Sequence, residues 1–438
     1  MYDVHVDKLT IIPFGRPFNA TISPPGSKSL TNRALVLAAL GEGESHISNI
    51  LVADDTEVML GGLQQLGFIV PVDRARGVTS VRGEGGRIPA PGADIYCGNS
   101  GTTVRFLTAV CTLGAGEFRL DGDRRMRERP ITGLVELIER LGANIEYATR
   151  AGCAPVIVHA SGLRGGRARF TAGESSQYLS AVLMAAPYAR EDVVIDVEGA
   201  PTSRPYIDMT LAMMRRFGVN VRQDRDADGT SLHVPRGRYA PGDYAVEPDA
   251  SAATYFMAAA AINPGSRVTI AGLGTKSLQG DVLFADILGR MGATVAITED
   301  NITVEGGDHL TGIDCDMTDM PDAAMTLAVV ALFAKGETLI RGLHTLPLKE
   351  TDRLAALSTE LRRLGGGAEA TSDCLRVTPP DAVRPAEIET YDDHRMAMSF
   401  AVAGTRVPGI TIVDPDCVRK TYPDFWIDLE KLRPSSAP

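Results

Sequence analysis

One local pattern recurs five times along the chain: a helix-like stretch, a large apolar residue, a glycine, then an alternating strand-like run. It reads LQQLGFIV at 63–70, IERLGANI at 138–145, MRRFGVNV at 214–221, LGRMGATV at 288–295 and LRRLGGGA at 361–368. The glycines are Gly67, Gly142, Gly218, Gly292 and Gly365, spaced by 75, 76, 74 and 73 residues. A period this constant marks a repeat architecture. Each glycine is the expected residue just past a helix, in the left-handed conformation that ends it. The 438 residues hold about six such periods. A sixth helix is expected at 424–433 (DFWIDLEKLR). The N-terminal run VHVDKLTIIPF is expected to supply the strand that this last unit needs, so that the chain closes on itself.

Six units suggest two lobes of three. The expected division is 24–246 for one lobe, and 1–23 with 247–438 for the other. Breaker residues stand where the chain must cross: Pro24-Pro25-Gly26, and Pro241-Gly242 through Glu247-Pro248. Thirteen residues before each repeat glycine lie Asp54, Arg129, Pro205, Gln279 and Asp352, near the expected helix starts ADDTE, RERPI, TSRPYID, SLQGD and LKETDR. Helices running parallel within a lobe would gather their positive N-terminal ends on one surface. Such ends bind phosphate and carboxylate.

Composition narrows the function. Apolar residues make up 44 % of the chain and charged residues 23 %, an ordinary globular balance. The net charge of −11 argues against a nucleic-acid binder, though a pocket can be locally basic. Apolar runs such as 34–40 and 327–334 are far below the roughly 18 residues of a membrane span. The N-terminus lacks the apolar core of a secretory signal, so a cytoplasmic chain is expected. Six scattered cysteines without CxxC, and seven histidines without HExxH, predict neither a disulfide framework nor a metal site.

Several motifs offer anion-binding chemistry. In 24–33 (PPGSKSLTNR), Ser27 or Ser29 can cap a helix that Gly41 ends, with Lys28 and Asn32, then Ser29 and Arg33, four residues apart. Two cations at a helix N-terminus oppose its dipole unless an anion offsets them. The loop GNSGTTVR (98–105) exposes amides beside small residues. GDRRMRERP (122–130) carries four arginines, with Arg129 expected at a helix start. GESSQY (173–178) and TSRPYID (202–208) add hydroxyls. Later come acids: Asp322 opens an apolar helix, as a cap or as a working carboxylate, and Glu350 lies between Lys349 and Arg353. Leu354, Leu357, Leu361 and Leu364 form the stripe of an amphipathic helix. Arg395 and Lys420 are further cations. GLGTKS (272–277) fails the GxGxxG test, which argues against a dinucleotide site.

Taken together and in order, PPGSKSLTNRALVLAAL, GNSGTTVR, RMRERPI, SSQYLSAVLMAAP, SRPYID, DASAATYFMAAAAI, MPDAAMTLAVVALFAKG, LKETDRLAAL, YDDHRMAM and KTYPDFW resemble the 5-enolpyruvylshikimate-3-phosphate synthase family over nearly the whole chain. The resemblance implies an α/β fold: a two-lobed inside-out α/β barrel of six βαβαββ repeats, three per lobe, joined by a double crossover hinge. It implies transfer of the enolpyruvyl group of phosphoenolpyruvate to the 5-hydroxyl of shikimate 3-phosphate, with phosphate released by addition and elimination through a tetrahedral intermediate. It implies no metal, no cofactor, no nucleic-acid or membrane partner, and a monomer. Carried over by position, shikimate 3-phosphate should meet Lys28, Ser29, Arg33, Ser175, Ser176, Gln177, Ser203, Tyr206, Asp322, Thr345 and Lys349. Phosphoenolpyruvate should meet Lys28, Gly101, Arg129, Gln177, Arg353, Arg395 and Lys420. Asp322 would accept the hydroxyl proton and Glu350 would protonate the methylene carbon, with Lys28 a further proton-transfer group.

The chain departs from the family pattern at three positions. Ser100 stands in what is usually NAG, Thr345 where asparagine is frequent, and Phe106 where proline is frequent. Phe106 is expected near the first turn of the helix lining the phosphoenolpyruvate site, which would lower sensitivity to glyphosate, the family's inhibitor there. Two other readings differ in kind. One is the related transferase acting on UDP-N-acetylglucosamine, which usually carries a catalytic cysteine in a loop and lacks the SSQ and KETDR signatures. The other is a non-catalytic binder of phosphorylated metabolites, against which Asp322 and Glu350 both speak.

Overall fold

The computed structural model describes residues 7–226 and 229–434, so residues 4–6 of the expected N-terminal strand lie outside the described residues. Among the described residues there are twelve α-helices. They are α1 (Lys28–Leu40), α2 (Asp54–Gln65), α3 (Gly101–Cys111), α4 (Thr132–Arg140), α5 (Ser176–Ala185), α6 (Arg204–Arg216), α7 (Ala250–Ile262), α8 (Phe284–Met291), α9 (Ala324–Ala331), α10 (Arg353–Arg363), α11 (His394–Gly404) and α12 (Phe425–Glu430). The chain divides into two compact units, residues 26–246 and residues 1–25 with 247–438.

Odd-numbered and even-numbered helices differ in sequence and therefore in burial. Every residue of α3, α7, α9 and α11 is buried. Their apolar and small residues run right round the helix, as in ASAATYFMAAAAI, and such a helix is stable only inside a core. The even-numbered helices are amphipathic. In α10, Leu354, Leu357 and Leu361 are buried while Arg362 and Arg363 are exposed.

The sheets repeat one topology. Gly92–Tyr96 runs parallel to Ala115–Asp121, which runs antiparallel to Val156–Ser161, which pairs antiparallel with Ile145–Tyr147. The same order recurs in Gly166–Thr171, Val193–Glu198, Gly229–Val234 and Arg222–Asp226. It recurs in Asp314–Asp316, Thr338–Arg341, Cys374–Thr378 and Gly367–Ala370. Two sheets take their first strand from just before a crossing between units. Asp243–Ala245 joins Glu42–Ser48, Val78–Glu84 and Val72–Asp73. Asn19–Ile22 joins Arg267–Ala271, Asn301–Glu305 and Thr294–Ile297. In the sixth sheet, Ala386–Ile388 is parallel to Ile410–Val413, and the antiparallel partner is the N-terminal Lys8–Thr10. The N-terminal segment thus supplies the strand that the sixth unit needs.

The repeat glycines behave as their spacing predicts. Gly67, Gly142, Gly218, Gly292 and Gly365 have φ between +86° and +116° and end α2, α4, α6, α8 and α10. The helix starts follow less closely. α2, α6 and α10 begin within one residue of the expected positions. α4 begins at Thr132, not near Arg129, because the chain turns over 123–129 and Pro130 forms a bridge to Cys153. Among the described residues no helix is long and apolar enough to cross a membrane, and no group of three or more acidic, histidine or cysteine side chains could hold a metal ion.

Candidate active site

The expected site residues fall into two clusters, one in each unit. In the unit 26–246 the starts of α1, α3 and α5 lie together. Gln177, in the first turn of α5, accepts a 2.6 Å bond from Arg105 Nη1 of α3 and donates to Thr102 Oγ1 at 3.3 Å. Arg33 of α1 donates to Ser180 of α5 at 3.2 Å, and its guanidinium lies 5.2 Å from the Phe106 ring of α3. Residues at matching depth meet, so the three helices run parallel and their N-termini share one end. Ser27 caps α1 by accepting from Leu30 N, and Ser175 caps α5 by accepting from Gln177 N. Partial positive charge and free amides therefore collect there.

Cations stand around this end, and each is held. Lys28 Nζ is 2.9 Å from Asp55 Oδ2, at the start of α2. Arg129 Nη1 donates to the backbone oxygen of Asn99 at 3.1 Å and to its side-chain oxygen at 3.0 Å. Arg124 and Arg125 pair with Glu128, and Arg127 with Asp121, so of the four arginines in that motif Arg129 alone is buried. Gly101 opens α3 against the guanidiniums: a Cβ there would lie 2.6 Å from Arg129 Nη2 and 2.9 Å from Arg105 Nη1. Only a glycine admits both arginines so close to the helix start.

Arg33 sits deeper than its neighbours. It is 1 % exposed and donates to Thr210, Ser180 and the backbone oxygens of Ser29 and Tyr206. Burial lowers its guanidinium to about 10. Ser203 precedes α6 at φ +55°, a strained left-handed conformation for serine, and Tyr206 N bonds its backbone oxygen. Ser29, Ser175 and Tyr206 are half-buried, and Ser176 is buried.

In the other unit, α7, α9 and α11 are likewise in register. Thr326 of α9 lies 3.3 Å from Thr254 of α7 and 3.3 Å from Ser399 of α11. At their N-terminal end stands a network of charge. Asp322 does not cap α9; it lies in the 3₁₀ turn Pro321–Ala323 ahead of it. Its carboxylate meets Arg353 Nη1 at 2.9 Å, Arg395 Nη2 at 3.1 Å and Lys349 Nζ at 3.5 Å. Burial alone would raise this carboxyl, but Arg395, Lys349 and Arg353 together hold it well below the usual carboxylate range.

Arg353 is 1 % exposed and also contacts Glu350 Oε2 at 2.9 Å and Asp393 Oδ2 at 2.7 Å. Burial works against its charge, and Asp393, Glu350 and Asp322 more than offset that, keeping it firmly protonated. Asp393 is itself buried and caps α11 by accepting from Arg395 N at 2.9 Å. It follows Tyr391 and Asp392, both at φ +55°, so strained backbone sets one carboxylate between the Arg353 guanidinium and the backbone N–H of Arg395. Lys420 ends the 3₁₀ turn Pro415–Lys420, which packs on α11. Thr345 begins the turn that leads to Lys349; its hydroxyl is buried with no hydrogen-bond partner among the described residues.

Three residues absent from the expected set hold others in place: Asp55, Asn99 and Asp393. The first stood in the quoted ADDTE and the last in YDDHR, but pairing across 27 and 40 residues leaves no local signal. Phe106 is also displaced from expectation. It is the sixth residue of α3 and fully buried, so it lies beyond the first turn, beneath Arg33. A groove of about 1040 Å³ along the sheet of Glu42–Ser48, lined by His46, Arg74, Arg216 and Tyr244 among others, contains none of the expected residues.

Comparison with known proteins shows the family of the chain. The profile of the family described as EPSP synthase (3-phosphoshikimate 1-carboxyvinyltransferase) matches residues 14–429. The chain is 46 % identical over 415 residues to a 3-phosphoshikimate 1-carboxyvinyltransferase of Shewanella oneidensis, covering 94 % of this chain and 96 % of that one. It is 44 % identical over 428 residues to the enzyme of the same name from Trichormus variabilis, covering 98 % and 99 %. Its structure is similar to that of EPSP synthase from Acinetobacter baumannii, with a TM-score of 0.80 at 26 % identity and 98 % of each chain covered. The enolpyruvyl transferase NikO from Streptomyces tendae shares the fold, with a TM-score of 0.73 at 21 % identity and 97 % of each chain covered.

Proposed function

Because the chain belongs to the EPSP synthase family and transfers the enolpyruvyl group of phosphoenolpyruvate to shikimate 3-phosphate in aromatic biosynthesis, we propose how its own residues carry that reaction. Lys28, Ser29, Arg33, Ser175, Ser176, Gln177, Ser203, Tyr206, Asp322, Thr345 and Lys349 hold shikimate 3-phosphate. Arg33 does so by exchanging one of its present acceptors. Lys28, Gly101, Arg129, Gln177, Arg353, Arg395 and Lys420 hold phosphoenolpyruvate. Five four-stranded sheets of one topology, a sixth of three strands, and odd-numbered helices that are wholly or largely buried support the finer architecture of an inside-out α/β barrel, three βαβαββ repeats to a unit.

The observation that carries the mechanism is the Asp322 carboxylate ringed by Lys349, Arg353 and Arg395. So surrounded, it is a weak base. The carboxylate and phosphate of phosphoenolpyruvate draw on the same guanidiniums, which returns basicity to Asp322 when the substrate arrives. Asp322 then takes the proton of the 5-hydroxyl as the 5-oxygen bonds the central carbon of phosphoenolpyruvate. Glu350 gives a proton to the methylene carbon, making a methyl group and a tetrahedral intermediate. In the second half the methyl group returns a proton and the bond to phosphate breaks, with Lys28 as a further proton-transfer group. The cations stabilise the charge that gathers on the departing phosphate.

Phosphate release with both substrates, with each alone, and with UDP-N-acetylglucosamine replacing shikimate 3-phosphate tests this reading. One phosphate should appear per enolpyruvyl group transferred, only with the first pair. Release with the nucleotide sugar, or none with shikimate 3-phosphate, refutes it.

A further inference from the structure

Asp281 lies in the 3₁₀ turn Gly280–Leu283 and is 2 % exposed, and the reaction above does not use it. Ser251 Oγ, in the first turn of α7, donates to Asp281 Oδ1 at 2.8 Å. Tyr255 stands four residues on, on the same face of α7, and its hydroxyl accepts from Arg395 Nη1 at 3.2 Å. The other end of that guanidinium contacts Asp322 at 3.1 Å. One turn of a buried helix thus separates the contact of Asp281 from the contact of Arg395. In so dry a setting the charge of one is felt by the other. Burial raises the Asp281 carboxyl most, Ser251 lowers it, Asp322 from ahead of α9 raises it, Arg395 from α11 lowers it and Asp249 at the cap of α7 raises it. The balance pushes it up to about 6.

We propose that Asp281 is a positioning residue acting through Arg395: its carboxyl takes up a proton when the anionic substrate settles on that guanidinium, so affinity for the substrate falls as pH rises. This rests on phosphoenolpyruvate binding at Arg395. An ionised Asp281 draws on the same positive potential that the incoming anion needs. Negative charge arriving there favours the protonated carboxyl further. By reciprocity, whatever protonates Asp281 tightens the anion.

The sign follows. A carboxyl already raised to about 6 holds its proton below that pH, where no uptake is needed. Above it, binding must draw a proton from solvent. KM for phosphoenolpyruvate in the natural protein should therefore climb between about pH 6 and about pH 8, by about five-fold or more beyond any climb in Asp281→Asn, with kcat little changed. Ionisation of the substrate itself is common to both proteins and cancels. Ser251→Ala removes a donor to the carboxylate and should move the climb to higher pH. As a readout independent of turnover, adding phosphoenolpyruvate near neutral pH should produce an infrared band of a protonated carboxyl in the natural protein and not in Asp281→Asn.

If Asp281 were merely structural, Asp281→Asn would raise KM equally at every pH. Parallel profiles in the two proteins, or no such band, overturn the proposal. A protein that releases no phosphate at any pH instead removes the assigned reaction, and the infrared arm still decides whether Asp281 takes up the proton.

Discussion

Gly101→Ala puts a methyl group where the structure has least room. The new carbon would lie 2.6 Å from Arg129 Nη2, 2.9 Å from Arg105 Nη1 and 3.0 Å from Arg129 Cζ. To reach an ordinary separation of about 3.5 Å, the Arg129 guanidinium must retreat by about 0.9 Å. It is anchored at 3.1 and 3.0 Å to the two oxygens of Asn99, and a retreat of that size breaks at least one of these bonds. A hydrogen bond to a charged group contributes about 1.5–3 kcal/mol. Arg129 is assigned to phosphoenolpyruvate and not to the proton transfers, so the loss should appear in binding. At about 1.4 kcal/mol per factor of ten, KM for phosphoenolpyruvate should rise by about 10- to 150-fold, with kcat and the KM for shikimate 3-phosphate changed far less. The lost bond also lowers folding stability, and replacing a glycine in a helix returns only about 0.5–1 kcal/mol, so the thermal midpoint should fall by a few degrees while the protein stays folded. Steady-state kinetics with one substrate varied at saturation of the other gives both constants. An unchanged KM in a folded variant would refute the packing argument and the role of Arg129 together.

Asp322→Asn and Glu350→Gln should each lower kcat by about 100-fold or more, the scale for losing a placed acid or base, and near-full turnover at saturation in either would cancel its role. Phe106→Pro should destabilise the protein by about 3 kcal/mol or more, because position 106 lies past the first turn of α3 and its N–H belongs to the helix; an unchanged unfolding midpoint would show that the helix start shifts instead. Burial pushes Tyr178 and Tyr255 up to about 12 and raises Tyr239 well above its ordinary value, whereas an exposed tyrosine titrates near 10. Their raised values stabilise the fold in full below about 10, and that contribution is lost as pH climbs toward about 12. Tyrosinate absorbance and loss of helical circular dichroism should therefore rise together in that window, and ionisation of all eleven tyrosines with the helices intact would contradict the burial.

The periodic part of this fold could be read from the chain because each repeat carries its own local stop. Gly67 and its four counterparts adopt a conformation that few other residues tolerate, so their spacing maps onto helix ends. The N-terminal strand was readable for a different reason: the sixth period lacked one. Arg129 shows where spacing fails, since Pro130 and the turn before it delay the helix by three residues. Asp322 shows where type and position fail. An acid at a helix start can cap the helix or face cations, and residues 27 to 73 positions further on decide which. The supports of the site come from the next element or the next repeat: Asp55 reaches Lys28 from the second helix of the same repeat, and Asp393 reaches Arg353 from the following repeat. Neither follows from the spacing within one helix.

The strand Lys8–Thr10 pairs with Ile410–Val413, and Thr10 meets Thr411 across 401 residues. On the ribosome this separation becomes a schedule. Residues 26–246 form one contiguous unit and can collapse while the rest is still being made. The segment before them cannot. Its partners at 267–271 and 410–413 do not yet exist, and the second pairing waits until residue 413 has emerged. Closing so long a loop is slow, and an unpaired strand is meanwhile open to wrong partners. Residues 8–22 are thus made before the unit 26–246 but seated after it, and a delay in synthesis between residues 246 and 410 should leave them exposed while that unit is already folded.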